Sequence, residues 1–116
     1  MIKGTGIDIT EIDRIAALLQ RKPNFVNRIL TDREMKKYQQ LSGHRKTEFL
    51  AGRFAAKEAF SKALGTGIGA SLSFLDIEIG YEGQGKPCIL KPFSEGVHLS
   101  ITHSKQYAFA QVIIEE

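Results

Sequence analysis

In FAAKEAFSKALGTGIG, residues 54 to 69, Glu58, Ser61 and Lys62 lie close together just before Gly65, Gly67 and Gly69. At 100° per residue on a helix, Glu58, Ser61, Lys62 and Gly65 share one side with Phe54, while the alanines and Phe60 point elsewhere. That side offers a carboxylate, a hydroxyl and an ammonium, followed by backbone free of side chains that a ligand can approach closely. The same spacing also suits a solvated helix, because Glu58 and Lys62 stand in the i, i+4 order that stabilises an exposed helix by a few tenths of a kcal/mol. The glycines follow the helix instead of preceding one, and no Gly-Lys-Ser/Thr is present, so this is not a P-loop.

Asp8 is the second carboxylate of interest, set in Gly-Ile-Asp-Ile near the N-terminus. An unpaired carboxylate buried there would cost several kcal/mol, so Asp8 must face solvent or meet a cation. One Asp and one Glu from different elements, leaving other positions to water and phosphate oxygens, is the usual protein contribution to a Mg²⁺ site. Asp8 with Glu58 is one pairing among several in a chain with 13 acidic residues. The histidines, His44, His98 and His103, have no metal-ligand spacing, and no nucleophile elbow accompanies them.

The elements that must position these groups follow from periodicity. Residues 2–9 alternate with period two, Ile7 and Ile9 on the face expected to be buried and Gly6 and Asp8 on the other. Thr10 with Asp13 resembles a helix N-cap box, and Ile12, Ile15, Ala16 and Leu19 repeat at helical spacing until Pro23. On that helix Arg14, Leu18 and Arg21 fall roughly opposite the apolar stripe, an exposed leucine between two arginines that suits an acidic helix of a partner. Thr31 with Glu34 is a second capping box, opening a helix of about ten residues. From about Arg45 to Leu64 a long helix carries Ala51, Ala55, Ala59 and Ala63 every fourth residue, which lets a neighbour approach closely. Strand patterns then run through Leu75–Ile79, Cys88–Leu90, Val97–Thr102 and Ala108–Ile114. The expected architecture is α+β: one early strand, helices, then an antiparallel meander.

At 116 residues, 42% hydrophobic and 25% charged, the chain is expected to form one domain spanning 1–116. The single cysteine, Cys88, and an N-terminus without an apolar signal segment point to a reducing cytoplasm. No apolar run approaches the roughly 20 residues needed to cross a bilayer. A net charge of +3 tilts the chain mildly towards acidic or phosphate-bearing partners. A nucleic-acid binder would need aromatics interleaved with Lys and Arg on a sheet face, and the strands carry aliphatics instead.

GIDITEI at 6–12, EFLAGRFAAKEAFSKALGTGIG at 48–69, GQGKPCI at 83–89 and LSITHSKQYAFAQV at 99–112 together resemble the holo-acyl-carrier-protein synthases, the small bacterial phosphopantetheinyl transferases. The resemblance implies the phosphopantetheinyl transferase fold. The activity it implies is transfer of the 4′-phosphopantetheine arm of coenzyme A to a serine of an apo acyl carrier protein, releasing adenosine 3′,5′-bisphosphate in support of fatty acid biosynthesis. It also implies Mg²⁺ held by Asp8 and Glu58, with Mn²⁺ equally suited to oxygen ligands, and Lys62 beside them as a catalytic group. Coenzyme A is expected against Arg45, Arg53, Ser61, Lys86 and His103, with Gly65 and Gly85 letting its chain pass. Where the family often has Asn before Gly-Lys-Pro this chain has Gln84. The carrier protein is expected at Arg14, Leu18 and Arg21, and the assembly as a homotrimer with sites between protomers.

Overall fold

Ala51, Ala55, Ala59 and Ala63 recur every fourth residue, and the helix they belong to, α4 (Gly43–Leu64), is the axis of the computed structural model, which describes residues 1–116. Small side chains on several sides allow neighbours to pack closely all round it, and Leu50, Ala51, Ala55, Ala56, Ala59 and Phe60 are wholly buried. Gly65 ends the helix in the left-handed conformation, φ +86°, with its N–H donated to the carbonyls of Ser61 and Lys62. Around this axis the chain runs β1 (Ile2–Glu11), α1 (Ile12–Arg21), α2 (Phe25–Ile29), α3 (Asp32–Gln39), α4, β2 (Glu78–Glu82), β3 (Lys86–Lys91), β4 (Val97–His103) and β5 (Tyr107–Glu115).

The architecture is α+β, with every strand pairing antiparallel. One sheet has the order β1-β5-β4 and a smaller one pairs β2 with β3. β1 and β5 pair with Gly6 opposite Val112 and Asp8 opposite Ala110, which fixes the height of Asp8 against the helix behind it. The larger core lies between α4 and the strands, around Ala59, Phe60, Ile77, Ile89 and Val112. A smaller one, around Ile12, Ile15, Ile29 and Leu50, seats α1 and α2 on the first half of α4.

Several local expectations are corrected. Gly6 is buried, whereas Ile7 and Ile9, expected inside, are 60% and 58% exposed on the outer face of the sheet. The even-numbered residues of β1 face α4 because glycine leaves room for the alanine ridge, which no isoleucine would. Thr10 belongs to β1 and does not cap α1, which starts at Ile12 with Glu11 at its N-cap and no side-chain cap. The Thr31–Glu34 box is present, with Thr31 N–H donating to Glu34 Oε1 at 2.8 Å. The short α2 after Pro23 was not expected, and Leu75 falls in a 3-10 turn, so β2 begins only at Glu78.

Candidate active site

Asp8 reaches the site from β1 and Glu58 and Lys62 from successive turns of α4. The Thr10 hydroxyl donates to Asp8 Oδ2 at 2.9 Å, and the Lys62 ammonium donates to Asp8 Oδ1 at 3.2 Å and to the Ile7 carbonyl at 3.1 Å. The i, i+4 pairing of Lys62 with Glu58 suggested by the sequence is replaced by this pairing across elements. Thr10 is a residue that sequence reasoning missed. The period-two pattern that put Asp8 and Thr10 on one face was the available signal.

Glu58 is the electrostatically perturbed member. Burial pushes its carboxyl above the ordinary value of 4.5, the nearby Asp8 charge pushes it further, and Lys62 partly offsets both. Asp8 and Glu58 both line a groove of about 400 Å³ whose far wall is α1, through Arg14 and Leu18, and whose floor includes Phe54. The groove therefore joins a negative corner to an apolar, arginine-edged flank. Of the three α1 residues, Arg14 and Leu18 line it and Arg21 does not.

The residues expected against a coenzyme are more dispersed. Ser61 is fully buried, and its hydroxyl donates back to the Glu58 carbonyl at 2.7 Å, which turns it away from the groove. Gly65 is exposed one turn beyond Ser61. Gly85, at φ +100°, and Lys86 are exposed where β3 begins. Arg53 is buried with its guanidinium 4.2 Å from the Phe49 ring centre and donating to the Tyr81 hydroxyl, while its Nε has no partner. His103, at the end of β4, lies 3.7 Å from Glu48, and Arg45 is exposed near the start of α4. None of Arg45, Arg53, Lys86 and His103 lines the groove that holds Asp8 and Glu58.

Lys57, adjacent to Glu58, does not belong to the solvated face that its neighbours suggested. It is fully buried, and its ammonium donates to Glu34 Oε1 at 2.7 Å, to the Phe74 carbonyl at 3.1 Å and to the Ile29 carbonyl. Glu34, also buried, accepts in addition from Thr31 and Ile79 N–H, each at 2.8 Å. One ion pair thus ties α3, β2 and the end of α2 to the helix that carries Glu58.

The donor set at the site fits a hard cation. Two carboxylates meet there with a lysine, and no third His, Cys, Asp or Glu joins them in a metal-binding cluster. Mg²⁺ is typically held by one or two carboxylates, the remaining positions going to water and phosphate, whereas a structural zinc site needs four protein ligands. The arrangement can place a cation, an ammonium and a proton-accepting carboxylate around a phosphate ester.

Residues 4–112 match the model of the 4′-phosphopantetheinyl transferase superfamily. The chain is 61% identical over 116 residues to a holo-[acyl-carrier-protein] synthase of Anoxybacillus flavithermus, covering 99% of this chain and 97% of that one. With the synthase of the same name from Bacillus subtilis the identity is 60% over 117 residues, at the same coverages. The crystal structure of a holo-(acyl-carrier-protein) synthase from Bacillus anthracis in complex with CoA (3′,5′-ADP) superposes with a TM-score of 0.88 at 53% identity, covering 98% of this chain and 96% of that one. A Helicobacter pylori holo-[acyl-carrier-protein] synthase in complex with coenzyme A gives 0.82 at 37% identity, covering 96% and 99%.

Proposed function

The chain belongs to the 4′-phosphopantetheinyl transferase superfamily, in its holo-[acyl-carrier-protein] synthase branch, and we propose that Asp8, Glu58 and Lys62 are the groups with which it transfers 4′-phosphopantetheine from coenzyme A to a serine of an apo acyl carrier protein. The observation that carries this reading is the meeting of Asp8 and Glu58 in one groove, with Lys62 paired to Asp8 and the Glu58 carboxyl raised by burial and by Asp8.

In the reaction the serine oxygen attacks the pyrophosphate phosphorus next to the pantetheine arm. The bond from that phosphorus to the bridging oxygen breaks, and adenosine 3′,5′-bisphosphate leaves with the bonding electrons. Glu58 takes the serine proton, a role for which a raised pKa makes it a stronger base than an ordinary carboxylate. Lys62, half exposed and long enough to reach Asp8, places its positive charge where the leaving phosphate becomes more negative. Asp8, held by Thr10 and Lys62, would hold Mg²⁺ together with Glu58. When bound, the ion supplies positive charge to the pyrophosphate oxygens. No covalent enzyme intermediate is needed.

Arg14 and Leu18, on the flank of the same groove, and Arg21 beyond them form the docking face for the carrier protein. A serine presented there would lie beside Glu58. The coenzyme's nucleotide end is assigned to Arg45, Arg53, Lys86 and His103. Because these do not line the groove of their own protomer, a second protomer would supply them, as in a trimer with shared sites. The apolar outer face of the β1-β5-β4 sheet, carrying Ile7 and Ile9 with Phe109, supports such an assembly. The unit is one transferase domain, 1–116, working in the cytoplasm, where the lone Cys88 stays reduced. No helix is long and apolar enough to cross a membrane.

The test is incubation of the purified protein with coenzyme A, Mg²⁺ and an apo carrier protein. The carrier should gain the mass of one phosphopantetheinyl group, and omission of Mg²⁺ should abolish the gain. An unmodified carrier in the complete mixture would overturn the proposal.

A further inference from the structure

The Ala59 carbonyl of α4 accepts the helical hydrogen bond of Ala63 N–H, and this turn is the one that carries Lys62 and directly follows Glu58. Gly6 of β1 rests against it. A Cβ built at Gly6 would stand 2.8 Å from Ala63 N and 2.9 Å from the Ala59 carbonyl carbon, and would overlap the Ala59 oxygen. Gly6 is absent from the glycines with positive φ, so space and not backbone conformation is what excludes a side chain. The obstacle is helix backbone, which cannot rotate aside as a side chain would, so an added methyl must push strand and helix apart by about 1 Å or more.

We propose that Gly6 is a positioning residue for the two-carboxylate site: direct contact of its Cα with the Ala59–Ala63 turn sets how far Asp8 stands from Glu58. Asp8 lies two residues along the same face of a strand whose register against β5 is continuous from Gly6 to Asp8, so a retreat at Gly6 carries Asp8 with it. Gly4 makes the same kind of contact one turn later, against the Ala63 carbonyl, but is four residues from Asp8. This proposal rests on the reading of Asp8 and Glu58 as a cation site.

Mn²⁺ binding to the purified protein, followed by calorimetry and by the electron paramagnetic resonance of the free ion, reads the spacing without reference to turnover. Gly6→Ala is expected to weaken Mn²⁺ binding at least tenfold in protein that circular dichroism shows to be folded, and Gly4→Ala to weaken it less for a similar loss of thermal stability. Asp8→Glu alone should overreach and weaken binding at least threefold, whereas in the Gly6→Ala background the longer side chain should recover part of the lost affinity. Gly6→Ala binding Mn²⁺ as tightly as the wild type, or both glycine variants losing affinity equally, would overturn the positioning role. If Gly6→Ala does not fold, Asp8→Glu decides: unchanged affinity in that variant means that the separation is not set by the backbone contact. A wild-type protein that binds no Mn²⁺ would sink the cation reading itself, a failure distinct from the others.

Discussion

Replacing Lys57 by Met should remove a large part of this protein's stability without touching a residue of the groove. The ammonium has no exposure and spends its three donors on Glu34 and on the Ile29 and Phe74 carbonyls. Methionine fills a similar volume but leaves the Glu34 carboxylate, itself 2% exposed, with only the Thr31 and Ile79 N–H groups, removes the ammonium from the Ile29 carbonyl, and leaves the Phe74 carbonyl with only the Ile77 N–H. Breaking a buried ion pair from one side costs about 3–5 kcal/mol because a charge is stranded in the interior. Against a typical total of roughly 5–15 kcal/mol that is a severe loss, and at about 4 °C per kcal/mol for a chain of this size it lowers Tm by about 12–20 °C. Urea unfolding followed by circular dichroism at pH 7 and fixed protomer concentration measures it, and Glu34→Gln and the double variant complete a cycle. The double variant should be more stable than the sum of the single losses allows, by about 2 kcal/mol or more, since it strands no charge. A Lys57→Met loss below about 1 kcal/mol, or additive single effects, would refute the claim that this pair anchors α3 and β2 to α4.

Four further outcomes test the site and its surroundings. Asp8→Asn and Glu58→Gln should each lower turnover on the order of a hundredfold or more with the fold intact, and near-normal turnover at saturating Mg²⁺ would remove that residue from the machinery. Because the folded-state pKa of Glu58 lies above the ordinary 4.5, the native protein binds the extra proton between those two values and loses stability as pH rises through that window. Glu58→Gln should therefore be more stable than the wild type at pH 7 in divalent-free buffer, with the advantage gone below about pH 4; a less stable variant at pH 7 contradicts the raised pKa. Arg14→Glu with Arg21→Glu should raise KM for the carrier protein about tenfold at low salt, less at high salt, and leave KM for coenzyme A unchanged, whereas parallel rises in both would move the docking face elsewhere. For the proposed trimer, Ile7→Arg on the outer sheet face should shift the mass in solution from three times 12.9 kDa towards one; a variant that keeps three times that mass would show that this face is not the interface.

Much of this molecule is legible in its sequence because the signals concerned are local. The Thr31–Glu34 box, the order of strands and helices, and Gly65 as the end of α4 depend on residues a few positions apart. Asp8 and Glu58 could be named as candidates from residue type and setting, but periodicity left them one pair among several. Their common groove and the Lys62 contact with Asp8 exist only because β1 lies across α4. Which face of β1 is inside was also undecided locally: alternation distinguishes two faces, and hydrophobicity chose the isoleucines, but the alanine ridge admits the glycines. Lys57 and Lys62 are both lysines on one amphipathic-looking stretch, yet one is buried and the other half exposed. The difference comes from Glu34, 23 residues away, whose carboxylate makes burial of an ammonium tolerable. Local sequence determines what a residue prefers, and only the packing of distant elements decides which preferences are satisfied, because desolvation and ion pairing act through space and not along the chain.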